Sequence, residues 1–586
     1  MKTSLFVTAA IGALCATIPM YVQTDSLPVE QSQKASNQRV IESENSAKVQ
    51  EAWDRRISYF QDLPDEAAGI AVDQSGDVYI TGKVTDAGKD YNYGTAKYDR
   101  NGNLVWGPVV ENGHPTYDDE AAAIALDGSS VYVMGKVAGA GGDYCYGTFK
   151  YNRSDGSRAW SRQENGDGNN PDEAVAIAVD AQGNVYVAGN SFHPSRDWSY
   201  KLIKYDREGN LKWSVLSDAN ENSAHADKVF AMALDATGNV YVTGIGYDQD
   251  SALDDYMTIK YDGNNGQVIW KKFYQGEAED QAVALALDQS GNVYVTGRSK
   301  NSSGDWDCVT MKYDAANGST LKTVKYDAGG NDVPKALAVD GSGNVYVTGG
   351  SQHFSNDYDC LTIKYNAGLD TVWTRRYNNP VANDYDMANH MALDAAGNVY
   401  VTGMSYSGQA GGYDCVTVKY NPEGAESWGI RYEGPGDDIP NAIAIDQEGN
   451  VFVTGSSEKA LGADRDYLTI KYEQNFVAHV EQSQIEPADD YELTQNYPNP
   501  FNPETKIVFA LPQAGDVKLS IYSVTGQLVR ALVDGKMTAG RHEIPWNGQD
   551  QAGQAVANGV YWYRLVVTGA SGKPTFRETK RMTLLK

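Results

Sequence analysis

Apolar and polar residues alternate over short runs along most of the chain, and the runs recur. The phrase "GNVYVTG" stands at 238–244, 291–297, 343–349 and 397–403, with close variants at 76–82, 129–135, 183–189 and 449–455. Its terminal glycines, Gly82, Gly135, Gly189, Gly244, Gly297, Gly349, Gly403 and Gly455, follow one another at steps of 52 to 55 residues. Each period holds four alternating segments, as in "DQAVALALD", "GNVYVTG", "CVTMKYD" and "TLKTVKY" of the fifth copy. Two-residue alternation bounded by Asp, Gly and Asn reads as short antiparallel strands. A period of this size is one supersecondary unit that cannot bury its faces alone. The fold class is therefore all-β, and the expected architecture is an eight-bladed β-propeller spanning residues 49–474, each blade a four-stranded sheet.

The eighth copy lacks a fourth segment after "DYLTIKYEQNF", while "EAWDRRISYF" at 51–60 matches the fourth-strand text "VWTRRYNN" that begins at Val372. Trp53 aligns with Trp373. The expectation is that this N-terminal strand completes the last blade, hiding the sheet edges that an open ring would leave. Three further constants recur. An Asp stands eight residues before the end of every first strand: Asp65, Asp119, Asp172, Asp227, Asp280, Asp332, Asp386 and Asp438. Every third strand ends in Lys-Tyr, and Trp106, Trp160, Trp213, Trp270, Trp373 and Trp428 anchor most fourth strands.

Charge and termini add the compartment. The 586 residues carry 49 Lys+Arg against 77 Asp+Glu, a net charge of −28, which disfavours nucleic acid as a partner. Lys2 followed by the apolar run Leu5–Ile18 reads as a secretory signal peptide over 1–24, too short for a membrane span, and no transmembrane segment is expected. Residues 25–48 and 475–490 are polar and aperiodic, as linkers are. Cys308, Cys360 and Cys415 share one repeat position, too far apart for bridging, so free thiols are expected.

The repeated "D-x-x-G-N-V-Y-V-T-G … D-Y-x-T-I-K-Y" text resembles the bacterial extracellular beta-propeller repeat called SBBP. That resemblance implies the fold and no single reaction; the family is often called seven-bladed, whereas eight copies are counted here. From Tyr491 the composition changes: the last 96 residues carry 11 Lys+Arg and 7 Asp+Glu, leaving −32 on the preceding 490. Alternating segments there suit a small Ig-like β-sandwich over 491–586. "NYPNPFNPETKIVFALP" and the closing "TKRMTLLK" resemble the type A C-terminal sorting domain of the type IX secretion system, and more distantly the FlgD-like Ig fold. The resemblance implies export across the outer membrane, release or surface attachment, the secretion machinery as partner, and Lys580, Arg581 and Met582 as the sorting signal.

Catalytic text is sparse. No G-x-S-x-G, P-loop, H-E-x-x-H or EF-hand loop occurs, the seven histidines lack metal-ligand spacing, and no catalytic residue is assigned. "YDRNGNLVW" resembles the tryptophan-docking motif of quinoprotein propellers, but the adjacent cysteine pair typical of those enzymes is missing; a tight turn followed by a packing Trp accounts for it. The eight first-strand Asp residues, with Asp332, Asp386 and Asp438 the candidate metal ligands, would suit Ca²⁺ if they ringed a channel mouth. Otherwise they accept backbone N–H groups of their own loops. Loops after second and fourth strands vary and should share one face, the usual layout of a binding site. Lys335, Asn389, His390 and Asn441 replace Ala, Val or Phe of other copies on the inner strands of blades six to eight, which makes them candidate ligand-binding residues. Two functions are compatible: a secreted or surface scaffold that binds glycan or protein, or an extracellular enzyme such as a polysaccharide lyase or hydrolase.

Overall fold

The fold was analysed in a computed structural model. It describes residues 12–13, 41–42, 48–474 and 490–585, except 60–62, 114–116, 140–143, 167–169, 196, 220–224, 354–356, 380–384, 409–411, 435, 461–462, 502–504, 552–554 and 569–573. The expected signal peptide and linkers lie almost wholly outside the described residues. The chain divides into two compact units, 1–476 and 477–586. No α-helix occurs among the described residues, and no helix is long and apolar enough to cross a membrane.

The first unit is a series of eight antiparallel sheets. Seven contain four strands consecutive in sequence, such as Asp280–Leu287, Val293–Lys300, Trp306–Tyr313 and Thr320–Tyr326 in the fifth, and in the third the two residues Gly12–Ala13 add a fifth strand. The eighth takes three from the end of the unit and a fourth from the beginning: Lys48–Ile57 pairs antiparallel with Arg465–Gln474, Trp53 opposite Lys471, and the two residues Ile41–Glu42 pair with it in turn. First strands lie against first strands of neighbouring sheets throughout, and that of the eighth, Asp438–Ile445, lies against that of the first, Glu66–Val72.

The repeated phrase is a turn with a built-in clamp. Asp180 Oδ1 accepts the N–H groups of Gln182 and Asn184, each at 2.9 Å, while its Oδ2 accepts Asn184 Nδ2 at 2.7 Å and the Tyr186 hydroxyl at 3.1 Å. Gly183 supplies the left-handed φ of 83° that closes the turn. The glycine ending the phrase has a different cause. Each first strand carries a β-bulge opposite it, so a Cβ on Gly297 would collide with the Gln281 carbonyl oxygen.

Sheets are joined by a repeated latch. Trp373 Nε1 and Lys364 Nζ both donate to the Pro422 carbonyl of the next sheet, at 3.1 and 2.8 Å, and Trp106 and Lys97 converge in the same way on Arg153. Trp53 and Lys471 of the eighth sheet converge on Arg100 of the first, at 3.3 and 3.1 Å. The Trp ring lies on a glycine of the next turn: a Cβ on Gly424 would sit 2.7 Å from Trp373. The fifth sheet has Lys322 where others have Trp, and there Leu369, at φ 59° and 1% exposed, takes the glycine's place. Cys145, Cys308, Cys360 and Cys415 are buried free thiols.

The second unit has a three-stranded sheet, Glu492–Leu493, Thr505–Leu511 and Gly540–Trp546, and a four-stranded sheet ordered 528–537, 515–523, 559–568, 574–584. Phe501, Ile507, Phe509, Leu519, Trp546, Leu565, Met582 and Leu584 share its core. Phe501 ties the opening motif to the closing strand, its N–H donating to Thr583 and its carbonyl accepting from Leu585, both at 3.0 Å.

Candidate functional site

The first-strand aspartates organise one face of the first unit. Asp65 Oδ2 accepts the Tyr59 N–H at 2.6 Å, from the connection after a fourth strand, and Oδ1 accepts the Thr85 N–H at 2.7 Å, at the end of a second strand. Asp119 holds Gly113 and Ala138 alike, each at 2.5 Å. Each carboxylate thereby ties a residue that follows a fourth strand to the end of a second strand. All eight carboxylates are buried. Burial pushes the pKa of Asp65 up to about 7, and burial with the adjacent Asp218 pushes Asp227 up to about 8.

Asp332, Asp386 and Asp438 follow this pattern, accepting from Ala328 at 2.7 Å, Asn379 at 2.6 Å and Gly434 at 2.6 Å; Asp332 and Asp438 also accept the hydroxyls of Ser351 and Ser457. Their carboxylates serve as backbone acceptors, each within its own loop. Among the described residues, one carboxylate group comes close enough to share a cation: Asp307, Asp327 and Asp332, with oxygens within 4.8 Å of one another. Lys325 already supplies positive charge there, paired with Asp307 and lying 3.9 Å from Asp327.

Three of the four candidate ligand-binding residues occupy a single structural position. The unpaired bulge residue of the first strand is Ala68, Ala122, Val175, Phe230 and Val283 in sheets one to five, then Lys335, Asn389 and Asn441 in six to eight. Each lies three residues in from its loop-clamping Asp. His390 follows the bulge, where the other sheets carry Gly or Ala. The structure separates the four by partner. Asn441 Nδ2 is committed to Glu66 at 3.0 Å and the Ala67 carbonyl at 2.9 Å, bridging the eighth and first sheets. Lys335 forms no hydrogen bond or ion pair among the described residues, and His390 Nδ1 is buried without a partner. Burial, then the Lys335 charge, pushes the His390 pKa down to about 4. Burial and Arg298 lower that of Lys335, although solvent reaches its side chain.

Sequence alone did not single out the aromatic residues around this group. Tyr358, Tyr385, Tyr413 and Tyr406 form a chain of ring contacts with centroids 5.5, 6.0 and 5.5 Å apart, all half-buried on the variable-loop face of sheets six and seven. In sheet five Arg298 lies over the Trp306 ring, 4.4 Å from its centroid. No repeat constant marks Arg298, because its position holds Lys, Asn, Ile, Gly, Met or Ser in other copies. In the second unit Met582 is buried, Arg581 is exposed, and Lys580 lies 3.4 Å from Glu578.

Two family descriptions match parts of the chain: the SBBP beta-propeller repeat at residues 327–356 and 428–458, and the FlgD Ig-like domain at 499–573. Regulatory protein FlaEY of Caulobacter vibrioides is 28% identical over 162 residues, covering 24% of this chain and only 16% of that protein's length. Among solved structures, quinohemoprotein alcohol dehydrogenase from Comamonas testosteroni aligns with 72% of this chain and 76% of its own, at 13% identity and TM-score 0.45. PorZ, a surface component of the type IX secretion system of Porphyromonas gingivalis, aligns with 95% of this chain and 100% of its own, at 13% identity and TM-score 0.24. The chain thus joins β-propeller repeats to a FlgD Ig-like domain in one polypeptide.

Proposed function

We propose that this chain is an exported, closed eight-bladed β-propeller that binds glycan through its variable-loop face and reaches the cell exterior by way of the type IX secretion system. The observation that carries the binding reading is the four-tyrosine cluster Tyr358–Tyr385–Tyr413–Tyr406. Half-buried aromatic rings present apolar faces that match the C–H faces of sugars. Asp386 accepts the Asn379 N–H and Asp438 the Gly434 N–H, which anchors the chain beside the platform. Closure is supported by the Trp53–Lys471–Arg100 latch, which repeats the geometry found between consecutive sheets. Export, and a secreted or surface-attached location, are supported by the FlgD Ig-like match together with the Tyr497–Pro503 and Lys580–Met582 text.

A glycan array probed with the propeller and with Tyr385→Ala tests the reading. Saccharide-selective binding that falls at least tenfold in the variant is expected; an array with no saccharide bound by either protein refutes it. A polysaccharide lyase or hydrolase is the second reading, favoured by His390, whose Nδ1 has no partner and whose low pKa keeps the ring neutral near pH 7. Product release from the bound saccharides, abolished by His390→Ala, would decide for it.

A further inference from the structure

The cations of the first-strand region are compensated around part of the unit and left over in another. Lys83 and Lys136, one residue past the phrase glycine, pair with the cross-strand Glu66 and Glu120 at 3.1 and 2.7 Å. Lys228 pairs with Glu173 at 2.5 Å. In the fifth sheet the corresponding cation is Arg298, but its cross-strand neighbour is Gln281, which accepts at 2.6 and 3.0 Å and brings no charge. Neither Arg298 nor Lys335 has an ion pair among the described residues, in a chain with 77 acidic side chains.

These two cations repel each other, and Lys335 in turn disfavours a charge on His390. The second strand of sheet five lies against the first strand of sheet six, and that strand lies against the first strand of sheet seven. Arg298, Lys335 and His390 therefore occupy three successive packed strands. An unpaired cation pair beside an unpartnered buried nitrogen is the electrostatic complement of a missing anion. Tyr358, the first ring of the tyrosine chain, lies against Gly350, which holds in sheet six the place that Arg298 holds in sheet five, so the aromatic platform begins one sheet along from Arg298.

We propose that Arg298, Lys335 and His390 form a subsite for the carboxylate of an acidic sugar, a uronic acid whose ring lies against Tyr358 and Tyr385. This rests on the glycan reading and names its ligand class. The partners of Arg298 fix it in advance: Gln281 holds its Nε edge and Trp306 its face.

The test titrates the full mature chain with sodium glucuronate, methyl glucoside and inorganic phosphate in turn, following histidine ring resonances and assigning His390 through His390→Gln. With only seven histidines in the sequence the spectrum is tractable. Glucuronate should shift the His390 resonances saturably while methyl glucoside does not, and Lys335→Met should weaken oligogalacturonate binding at least tenfold with unchanged affinity for its carboxyl-reduced counterpart. Equal binding of acidic and carboxyl-reduced oligomers, indifferent to Lys335→Met, overturns the subsite while the glycan reading survives. Phosphate binding as tightly as glucuronate overturns the sugar assignment in favour of a free anion. No binding of any saccharide, with a silent His390, overturns both.

Discussion

A carboxyl such as Asp65 accepts two backbone N–H bonds yet has its pKa raised, because loss of hydration outweighs the two bonds. The sign of the pH effect follows. The folded state holds a proton that the unfolded chain releases above its ordinary carboxyl pKa near 4, so stability falls as pH rises from about 4 toward about 7 for Asp65, and toward about 8 for Asp227. The unfolding free energy measured by denaturant titration from pH 4 to 8 should therefore decline by an amount on the order of a few kcal/mol, and Asp65→Asn should flatten the profile. The same substitution sets an amide N–H against a backbone N–H and should lower stability at pH 5 by about 1–3 kcal/mol. These aspartates were legible in the sequence because eight repeated sheets use the same clamp. Arg298 was not, since its significance lies in the change of its cross-strand neighbour from Glu to Gln281, and neither residue is constant.

The strand latches make a sharper case, because one blade breaks the rule and repairs itself. Lys322 replaces the packing Trp, and Leu369 fills the resulting space from the next turn at the cost of a left-handed backbone, where glycine is the relaxed choice. Lys322→Trp alone should destabilise the chain by about 1–3 kcal/mol through overpacking against Leu369. Combined with Leu369→Gly it should recover most of that loss, giving a favourable coupling in a double-mutant cycle read by thermal unfolding. Additive effects would refute the exchange. The missing Trp was visible in the repeat text, but its compensation was hidden, since Leu369 stands 47 residues from Lys322 in another copy. The bulges were hidden too: local alternation cannot reveal an extra residue until the partner strand is in register.

The match between Trp53 and Trp373 marked the N-terminal ribbon as a fourth strand, because the repeat supplied seven internal templates for comparison. Removing residues 1–57 should expose one edge of Arg465–Gln474 and abolish the Arg100 latch. The truncated protein should melt at least 10 °C lower than the mature chain and associate in size-exclusion chromatography; an unchanged, monomeric product would refute the ribbon's structural role. The same pairing sets an order of assembly. Residues 48–57 leave the ribosome before any of the other strands of their sheet, and their partner strand at 465–474 follows only after seven sheets have been synthesised. This segment is thus a promissory strand, kept uncommitted until seven other sheets exist, and completion of its sheet becomes a long-range event that a prematurely terminated chain can never reach.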